Sequence, residues 1–344
     1  MRTLHVIQPL PAHDTILRGA RGNVHTATSS LAALRAIVAS DRKSSEEHYV
    51  VCIGGEASQL LARSAGLGNL IRVAPALGSA TRAASQLRRV LAGLGRVDMA
   101  IGWGEFASDI AFKLHQEAAW WKVSSRSGEI IRMSERGEAT GDAIELPWHI
   151  AMRPRAIDRA IARTQLGLPA LQPCLGLLAD NVAAADATEL MLCVSVLHAA
   201  GLTLSAALPA QLATADHAAT HVQLGTYTRE TAFVAVAPRA WAHACDVCII
   251  GDGPVFAAGL LLCTALAANC AVVVTRATQL ALGIDLPELA AISPRATDYA
   301  RIILPLMDDA AHRARSIEQY RTVISQLHVP TIAQSWRIIT RTLV

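Results

Sequence analysis

A short segment near the start of the chain combines glycine with arginine, a composition that suits anion binding. It is the loop Arg18-Gly19-Ala20-Arg21-Gly22, ahead of the first long predicted helix. Its glycines allow close approach of the backbone, the amides at a helix start attract anions, and two arginines neutralise a phosphate. The alternative is a surface loop whose glycines only turn the chain.

A second candidate site is the segment Gly102-Trp103-Gly104-Glu105, which follows a strand predicted over Asp98–Ile101. A carboxylate here is placed to act as a base or to bind hydroxyl groups, and the indole of Trp103 to stack on a sugar. The alternative is that Glu105 is only the acidic residue favoured in the first turn of a helix.

Two further candidate segments stand at the ends of consecutive predicted strands in the second half of the chain. Gly251-Asp252-Gly253-Pro254 joins the strand Cys245–Ile250 to an apolar helix that begins near Ala257. Free amides at that helix start suit a diphosphate, and Asp252 either binds ribose hydroxyls or caps the helix. We favour a ligand site, because a buried helix start must face a cleft or stay unsatisfied. Thr275-Arg276 ends the next strand, where Arg276 either reaches a phosphate or lies on the surface.

The elements that would position these segments alternate between strand and helix. Short β-branched runs and helical patterns follow one another from His5 to Leu114, and the alternation restarts at Cys174. This predicts an α/β protein with two Rossmann-like, doubly wound parallel-sheet domains. A short strand is predicted at His221–Leu224, and a helix near Thr231–His243.

The predicted domain boundaries follow from where this alternation lapses. We predict an N-terminal domain over residues 1–150, an interdomain linker over 151–165, a C-terminal domain over 166–330 and a last helix over 331–344. The pattern lapses between Glu145 and Leu168, where Pro147, Pro154 and a group of arginines that includes Arg159 and Arg163 indicate an interdomain connection.

Composition excludes several classes of protein. The 344 residues are 52% hydrophobic and 17% charged, which excludes intrinsic disorder, and the net charge of +3 does not indicate a nucleic-acid partner. The uncharged stretches Leu190–Ala215 and Gly253–Thr275 reach membrane length, but each is interpreted as helix, turn and strand rather than a membrane span. The start of the chain lacks a signal peptide, so we expect a cytoplasmic protein.

Several common catalytic motifs are absent from the sequence. It contains no Gly-x-Gly-x-x-Gly after a first strand, no Walker or Gly-x-Ser-x-Gly pattern and no His-Glu-x-x-His. Cys245 and Cys248 form an isolated Cys-x-x-Cys, which we interpret as buried cysteines rather than a metal or redox site. We therefore expect no cofactor and no metal.

In chain order, these segments resemble the retaining glycosyltransferases of the GT-B fold, which transfer sugar from nucleotide-sugars. The resemblance spans nearly the whole chain, and its pieces are Arg163–Leu168, His221–Gly225, Ala244–Ile250, Thr264–Thr275 and Ser335-Trp336. It implies a nucleotide-sugar donor on the second domain, an acceptor (a glycan or another molecule) on the first, and a last helix that crosses back to the first domain.

The departures from the family pattern fall on its working residues. Two glutamates eight positions apart hold the donor ribose and sugar in the family, and Phe256 and Thr264 stand at the matching positions. The family's arginine and lysine after the first strand of the second domain are missing from Gly176–Val182. The expected histidine turn reads Gly102-Trp103.

Three interpretations of these departures stay open: a divergent glycosyltransferase, a non-catalytic relative that binds a sugar or a protein, and an enzyme like the sugar-nucleotide epimerases. For the first, we predict Glu105 and Asp252 as catalytic residues. The other candidates fall into a donor site (Gly251, Gly253, Phe256, Thr264, Arg276) and an acceptor or phosphate loop (Arg18, Gly19, Arg21, Gly22, Trp103). An epimerase would need acid and base carboxylates, for which Glu105, Asp109 and Asp252 are candidates. A peripheral membrane or protein partner is left open.

Overall fold

The computed structural model describes residues 2–8, 24–25, 28–41, 46–67, 71–74, 79–92, 97–114, 119–124, 128–134, 138–152, 158–179, 181–182, 184–209, 231–234, 238–251 and 253–343. Contacts divide the chain into two compact units. The first comprises Met1–Ala20, Thr26–Ile150 and Pro330–Val344, and the second comprises Arg21–His25 and Ala151–Val329.

The described elements up to residue 150 alternate strand and helix as far as β6. In chain order they are β1 Arg2–Ile7, β2 Val24–His25, α1 Thr28–Asp41, β3 Glu47–Ile53, α2 Glu56–Ala62, β4 Ile71–Ala74, α3 Ala80–Leu91, β5 Met99–Trp103, α4 Glu105–Leu114, β6 Ala119–Val123, β7 Glu129–Met133 and β8 Ile144–Glu145.

The first unit is built on a seven-stranded sheet with the order β4-β3-β1-β5-β6-β7-β8. The pairs from β4 to β6 are parallel, with β1 central, which confirms the doubly wound core predicted from sequence. The strands β7 and β8 extend one edge as an antiparallel ribbon that the sequence patterns did not predict. The sheet is therefore mixed rather than purely parallel.

The two faces of this sheet differ in character. Leu4 and Val6 of β1 belong to an aliphatic core that includes Leu87 of α3 and Ile110 of α4. Because side chains alternate along a strand, Thr3 and His5 of β1 lie on the opposite face. The buried residues on that face therefore include polar groups.

The elements from residue 151 onward repeat the strand and helix alternation. In chain order they are α5 Arg159–Gln165, β9 Cys174–Leu178, β10 Asn181–Val182, α6 Ala184–Ala199, β11 Ser205–Pro209, β12 Thr231–Val234, α7 Pro238–Trp241, β13 Val247–Ile250, α8 Val255–Ala267, β14 Ala271–Thr275, α9 Arg276–Ala281, β15 Ala290–Ala291, α10 Ala296–Asp308, α11 Ala310–Gln326 and α12 Ile332–Leu343.

The second unit contains a six-stranded sheet with the order β12-β11-β9-β13-β14-β15, and all its pairs are parallel. This is the Rossmann order, in which the chain winds outward from β9 in one direction and then from β13 in the other. The helix predicted near Thr231–His243 is wrong in its first part: Thr231–Val234 form the edge strand β12. The β-branched Thr231 and Val234 favour this strand, and the helix α7 begins only at Pro238.

Part of the segment predicted as a linker is helical and packs into the second unit. Arg163 of α5 is 6% exposed and pairs with the buried carboxylate of Asp246 at 2.5 Å. Asp246 also accepts a hydrogen bond from the amide of Cys174 at 2.9 Å, and Arg163 donates to the carbonyl of Ala244 at 2.9 Å. These contacts tie α5 to the amino-terminal edge of the second sheet.

The last helix belongs to the first unit, as the sequence predicted. The amide of Ile332 donates to the carbonyl of His149 at 2.8 Å, and the fully buried indole of Trp336 lies 5.9 Å from the imidazole of His5, between ring centroids. The helix α12 therefore covers the polar face of the first sheet.

Candidate functional site

The adjacent strands β9 and β13 form the topological switch point of the second sheet. Their chain continuations leave in opposite directions along the sheet, and such a point at the carboxyl ends of the strands is where α/β proteins bind ligands. Gly251 directly follows β13, and its amide donates to the carbonyl of Leu178 at 2.9 Å. A Cβ at Gly251 would lie 2.8 Å from the Cβ of Ala179, so the close approach of the two chain segments requires glycine.

The helix α8 begins at this switch point. Its N-cap residue is Pro254, which provides no side-chain hydrogen bond, and its first turn contains no acidic residue. The helix behind this start is almost entirely buried, including Phe256 and Leu260. The amide groups at this helix start, where the helix dipole is positive, therefore lie at the carboxyl edge of the sheet. This arrangement suits the binding of an anion.

The positions that match the family's two glutamates lie inside the protein. Phe256 is 3% exposed and Thr264 is 6% exposed. The hydroxyl of Thr264 donates to the carbonyl of Leu260 at 2.8 Å, within the same helix. Both side chains pack the interior of the second unit, and neither presents a polar group to a ligand in this structure.

Arg276 follows β14 as the first residue of α9, and its guanidinium is engaged. It donates to Asp285 Oδ1 at 2.5 Å and to Gln279 Oε1 at 2.7 Å. The side chain of Arg276 is 31% exposed and that of Asp285 is 76% exposed, so this ion pair is accessible to solvent. Thr275 caps α9, because its side chain accepts a hydrogen bond from the amide of Thr278.

A small recess lies at the same edge of the sheet, with room for about one water molecule. Its lining residues come from the ends of β9 and β13, from α6 and from the start of α10: Leu177, Glu189, Leu190, Ile249, Gly251, Pro294 and Tyr299. The sequence patterns did not single out Glu189. The available signal was the pair of acidic residues, Asp186 and Glu189, in the first half of a largely apolar helix that follows the first strand of the sheet.

In the first unit, Trp103 is 2% exposed and lies on the polar face of the sheet. Its indole N–H donates to Nδ1 of His5 at 3.3 Å, and Nε2 of His5 lies 3.0 Å from Nδ1 of His48. Burial, with a smaller contribution from His48, lowers the pKa of His5 well below its usual value. The predicted stacking of Trp103 on a sugar therefore requires the indole to leave this packed position.

Glu105 begins α4 and forms an ion pair with Lys122 of β6. Its side chain is 83% exposed, so it is accessible to an acceptor in solution. The glycines on either side of Trp103 have structural roles. A Cβ at Gly102 would lie 2.1 Å from Cα of Ser108, and Gly104 has a φ of +90°.

Some sequence-predicted residues lie outside the described part of the chain. They are the loop residues Arg18, Gly19, Arg21 and Gly22, the proposed catalytic Asp252 and the short strand predicted at His221–Leu224. Gly253 is described, with no heavy atom closer than 4.0 Å to the position of an added Cβ. The described members of the predicted donor site come from one unit: Gly251 and Gly253 precede α8, Phe256 and Thr264 lie in α8, and Arg276 begins α9.

The interpretation of Cys245 and Cys248 as buried cysteines is confirmed. Both are fully buried and all seven cysteines of the chain are free. The thiol of Cys248 lies 3.2 Å from that of Cys270, and burial raises the pKa of both thiols. Within the described residues, no group of three or more His, Cys, Asp and Glu side chains is arranged to hold a metal ion. Among the described helices, none has the length and apolar character needed to cross a membrane.

Comparison with known proteins shows the fold. The chain matches no family model and no curated protein sequence. It is similar in structure to a proposed UDP-N-acetylglucosamine 2-epimerase from Listeria monocytogenes, with a TM-score of 0.54, 10% identity and coverage of 92% of this chain and 91% of that one.

Two other solved structures are similar at lower scores. The spinosyn rhamnosyltransferase SpnG has a TM-score of 0.49 and 11% identity, over 100% of this chain and 99% of that one. The UDP-GlcNAc 2-epimerase from Neisseria meningitidis bound to UDP-GlcNAc has a TM-score of 0.47 and 11% identity, over the same shares. The two α/β units and the similarity to the Listeria monocytogenes structure, at a TM-score of 0.54, confirm the α/β class with two Rossmann-like units of the GT-B fold that was predicted from sequence.

Proposed function

We propose that this protein is a divergent GT-B glycosyltransferase that binds a nucleotide-sugar at the carboxyl edge of its second sheet. The observation that carries this proposal is the start of α8 at the switch point between β9 and β13. That helix start has no side-chain cap from Pro254 and no acidic residue in its first turn, and it follows a glycine that the local packing requires. A diphosphate satisfies these amides.

The chemistry proposed for this edge is stabilisation of a leaving group. When the bond between the sugar and the diphosphate breaks, negative charge develops on the diphosphate oxygens. Fixed amide dipoles at the start of α8 stabilise that charge, and Arg276 adds a full positive charge once its guanidinium turns from Asp285. This arrangement replaces the arginine and lysine that the family resemblance led us to expect.

On the acceptor side, the proposal assigns the role of base to Glu105. Its carboxylate is exposed, and it would take the proton from an acceptor hydroxyl as the new glycosidic bond forms. Asp252 is the second proposed catalytic carboxylate, and Arg18–Gly22 is the proposed acceptor or phosphate loop. The proposal includes no metal and no cofactor, and free cysteines are consistent with a cytoplasmic protein.

A second candidate is an epimerase that acts on a nucleotide-sugar. The observation that favours it is the TM-score of 0.54 with the proposed UDP-N-acetylglucosamine 2-epimerase, over 92% of this chain. Both candidates place the nucleotide at the same edge and differ in what happens to the sugar. Products separate them: a transferase releases nucleoside diphosphate in proportion to the acceptor added, whereas an epimerase converts the sugar to an isomer without an acceptor.

The experiment that tests the shared nucleotide site is stabilisation by ligand. UDP, GDP, ADP and their sugar conjugates are titrated while unfolding is followed, and a nucleotide at 100 times its Kd adds about 2.7 kcal/mol to the free energy of unfolding. We expect one nucleotide series to stabilise the protein. No stabilisation by any of them overturns the proposal, and stabilisation without turnover of any nucleotide-sugar favours a non-catalytic sugar-binding protein.

A further inference from the structure

The recess beside Gly251 contains a carboxylate with a defined position. Glu189 of α6 lines it together with the apolar Leu177 and Ile249, each of which is the residue before the last of its strand at the switch point. One carboxylate oxygen, Oε2, accepts a hydrogen bond from the amide of Ala296 at 2.7 Å, which is the first residue of α10. This bond fixes the side chain at the edge of the sheet.

Among the described residues, a second carboxylate close to the recess is already occupied. Asp298 Oδ2 accepts from the hydroxyl of Ser293 at 2.6 Å and from its amide at 3.1 Å, and Asp298 does not line the recess. Glu189 is thus the charged side chain that the recess presents, and a carboxylate has about four acceptor positions, of which the bond to Ala296 uses one.

The charge and size of the recess restrict what it accepts. A carboxylate repels a phosphate group and accepts hydrogen bonds from a hydroxyl group. A space for about one water molecule matches one hydroxyl and excludes a nucleobase. The geometry points to Glu189 as the residue that binds a sugar hydroxyl of the nucleotide-sugar, either on the ribose or on the transferred sugar.

This inference rests on the proposed function. The family resemblance led us to expect two carboxylates at the positions of Phe256 and Thr264, and Glu189 provides one carboxylate in their place. Both of those side chains are buried within α8. Glu189 lines the recess beside Gly251 from α6, so the proposed hydroxyl contact is supplied by a different helix of the same unit.

The test uses the full chain with Glu189→Gln. Glutamine keeps an oxygen that accepts from the amide of Ala296, so the start of α10 stays anchored, while the negative charge is lost. Glu318→Gln is the matched control, because Glu318 is 66% exposed and pairs with Arg321 on α11. The affinities of UDP, 2′-deoxy-UDP, 3′-deoxy-UDP and UDP-sugars are measured by calorimetry, or those of the GDP or ADP series if that series stabilises the protein.

For a ribose hydroxyl we expect Glu189→Gln to weaken UDP about tenfold, with no effect on the deoxy form that lacks that hydroxyl. For a hydroxyl of the transferred sugar, the tenfold loss appears with UDP-sugar and not with UDP. Glu318→Gln leaves every affinity unchanged. Equal affinities of the native protein and Glu189→Gln for all these ligands overturn the inference while the nucleotide site stands. If the native protein binds no nucleotide at all, the proposed function itself fails.

Discussion

The indole N–H of Trp103 donates a hydrogen bond to Nδ1 of His5, and the two residues lie on neighbouring strands of the first sheet. Because Nδ1 accepts this bond, the proton of neutral His5 resides on Nε2, which then donates to Nδ1 of His48 at 3.0 Å. A protonated His5 would have to donate from both nitrogens and would lose the bond from Trp103. The neutral form is therefore built into the packing of β1 against β5 and α12.

The first prediction follows from this lowered pKa. As the pH falls below about 6.5, the unfolded chain takes up a proton at His5 before the folded protein does, so the free energy of unfolding decreases. The decrease begins near the ordinary histidine pKa and continues until the pH reaches the lower pKa of the folded state, with a slope of about 1.4 kcal/mol per pH unit for one proton.

Urea unfolding of the native protein and of His5→Gln between pH 5.5 and 8 measures this slope. Glutamine accepts from Trp103 and donates to His48 but does not titrate, so its curve should be flatter by the contribution of one proton. An unchanged slope in His5→Gln would show that His5 is not the residue responsible.

A second prediction concerns the buried ion pair that anchors α5. The side chains of Arg163 and Asp246 are 7% and 8% exposed, so removal of the carboxylate leaves a buried guanidinium without its counter-charge. We expect Asp246→Ala to lower the free energy of unfolding of the second unit by about 3–5 kcal/mol. Urea unfolding measures it, and Glu318→Ala, which removes an exposed partner of Arg321, should cost no more than about 1 kcal/mol. A similar cost for both variants would contradict the buried arrangement.

A third prediction tests the turn that precedes Glu105. A methyl group at Gly102 would lie 2.1 Å from Cα and 2.4 Å from the backbone nitrogen of Ser108. Gly102→Ala must therefore push α4 away from β5, and we expect a loss of about 2–3 kcal/mol in the free energy of unfolding. Gly55→Ala is the control, because no atom lies within 4 Å of its added Cβ and its φ is −78°. Equal stability of the two variants would mean that the helix and strand pack less closely than described.

The strands that could be predicted from sequence are those with a continuous buried run. The strand β9 begins at Cys174, where the predicted alternation restarts, and β14 ends at Thr275 as predicted, because both strands are buried on both faces and almost entirely apolar. The antiparallel ribbon of β7 and β8 was not predicted, because these edge strands are partly exposed and their sequences mix polar and apolar residues without a clear period. The whole of the edge strand β12, Thr231–Val234, was assigned to a helix for the same reason.

The turn at the proposed site could be predicted from sequence, whereas the side-chain contacts around it could not. The turn after β13 was located because glycine and proline stand between a strand and an apolar helix, a purely local pattern. The hydrogen-bond partners of Trp103 and Arg276 were not predicted, because these partners are distant in sequence or lie across a loop. His5 lies 98 positions from Trp103, and Asp285 nine positions from Arg276. Glu189 could not be singled out for the same reason, because its neighbours in the recess come from α10 and from two strands that are distant in sequence.

The last prediction uses the ion pair at the end of β14 to test the proposed diphosphate site from both directions. Arg276→Ala removes the positive charge and should weaken the binding of a nucleoside diphosphate. Asp285→Ala removes the carboxylate that holds the guanidinium, so the arginine is free to turn towards the diphosphate and the local potential becomes more positive. We expect it to strengthen binding by a few fold, because the pair is largely exposed and screened by solvent.

Calorimetric titration at two salt concentrations checks these opposite effects. Both variants should fold as the native protein does, because the side chain of Asp285 is 76% exposed and that of Arg276 is 31% exposed. Urea unfolding of each variant is the check. The change caused by Asp285→Ala should shrink at high salt, as expected for an exposed charge. If both substitutions weaken binding equally, Arg276 acts by holding the loop at Asp285. If neither substitution changes binding, the diphosphate does not lie at the end of β14.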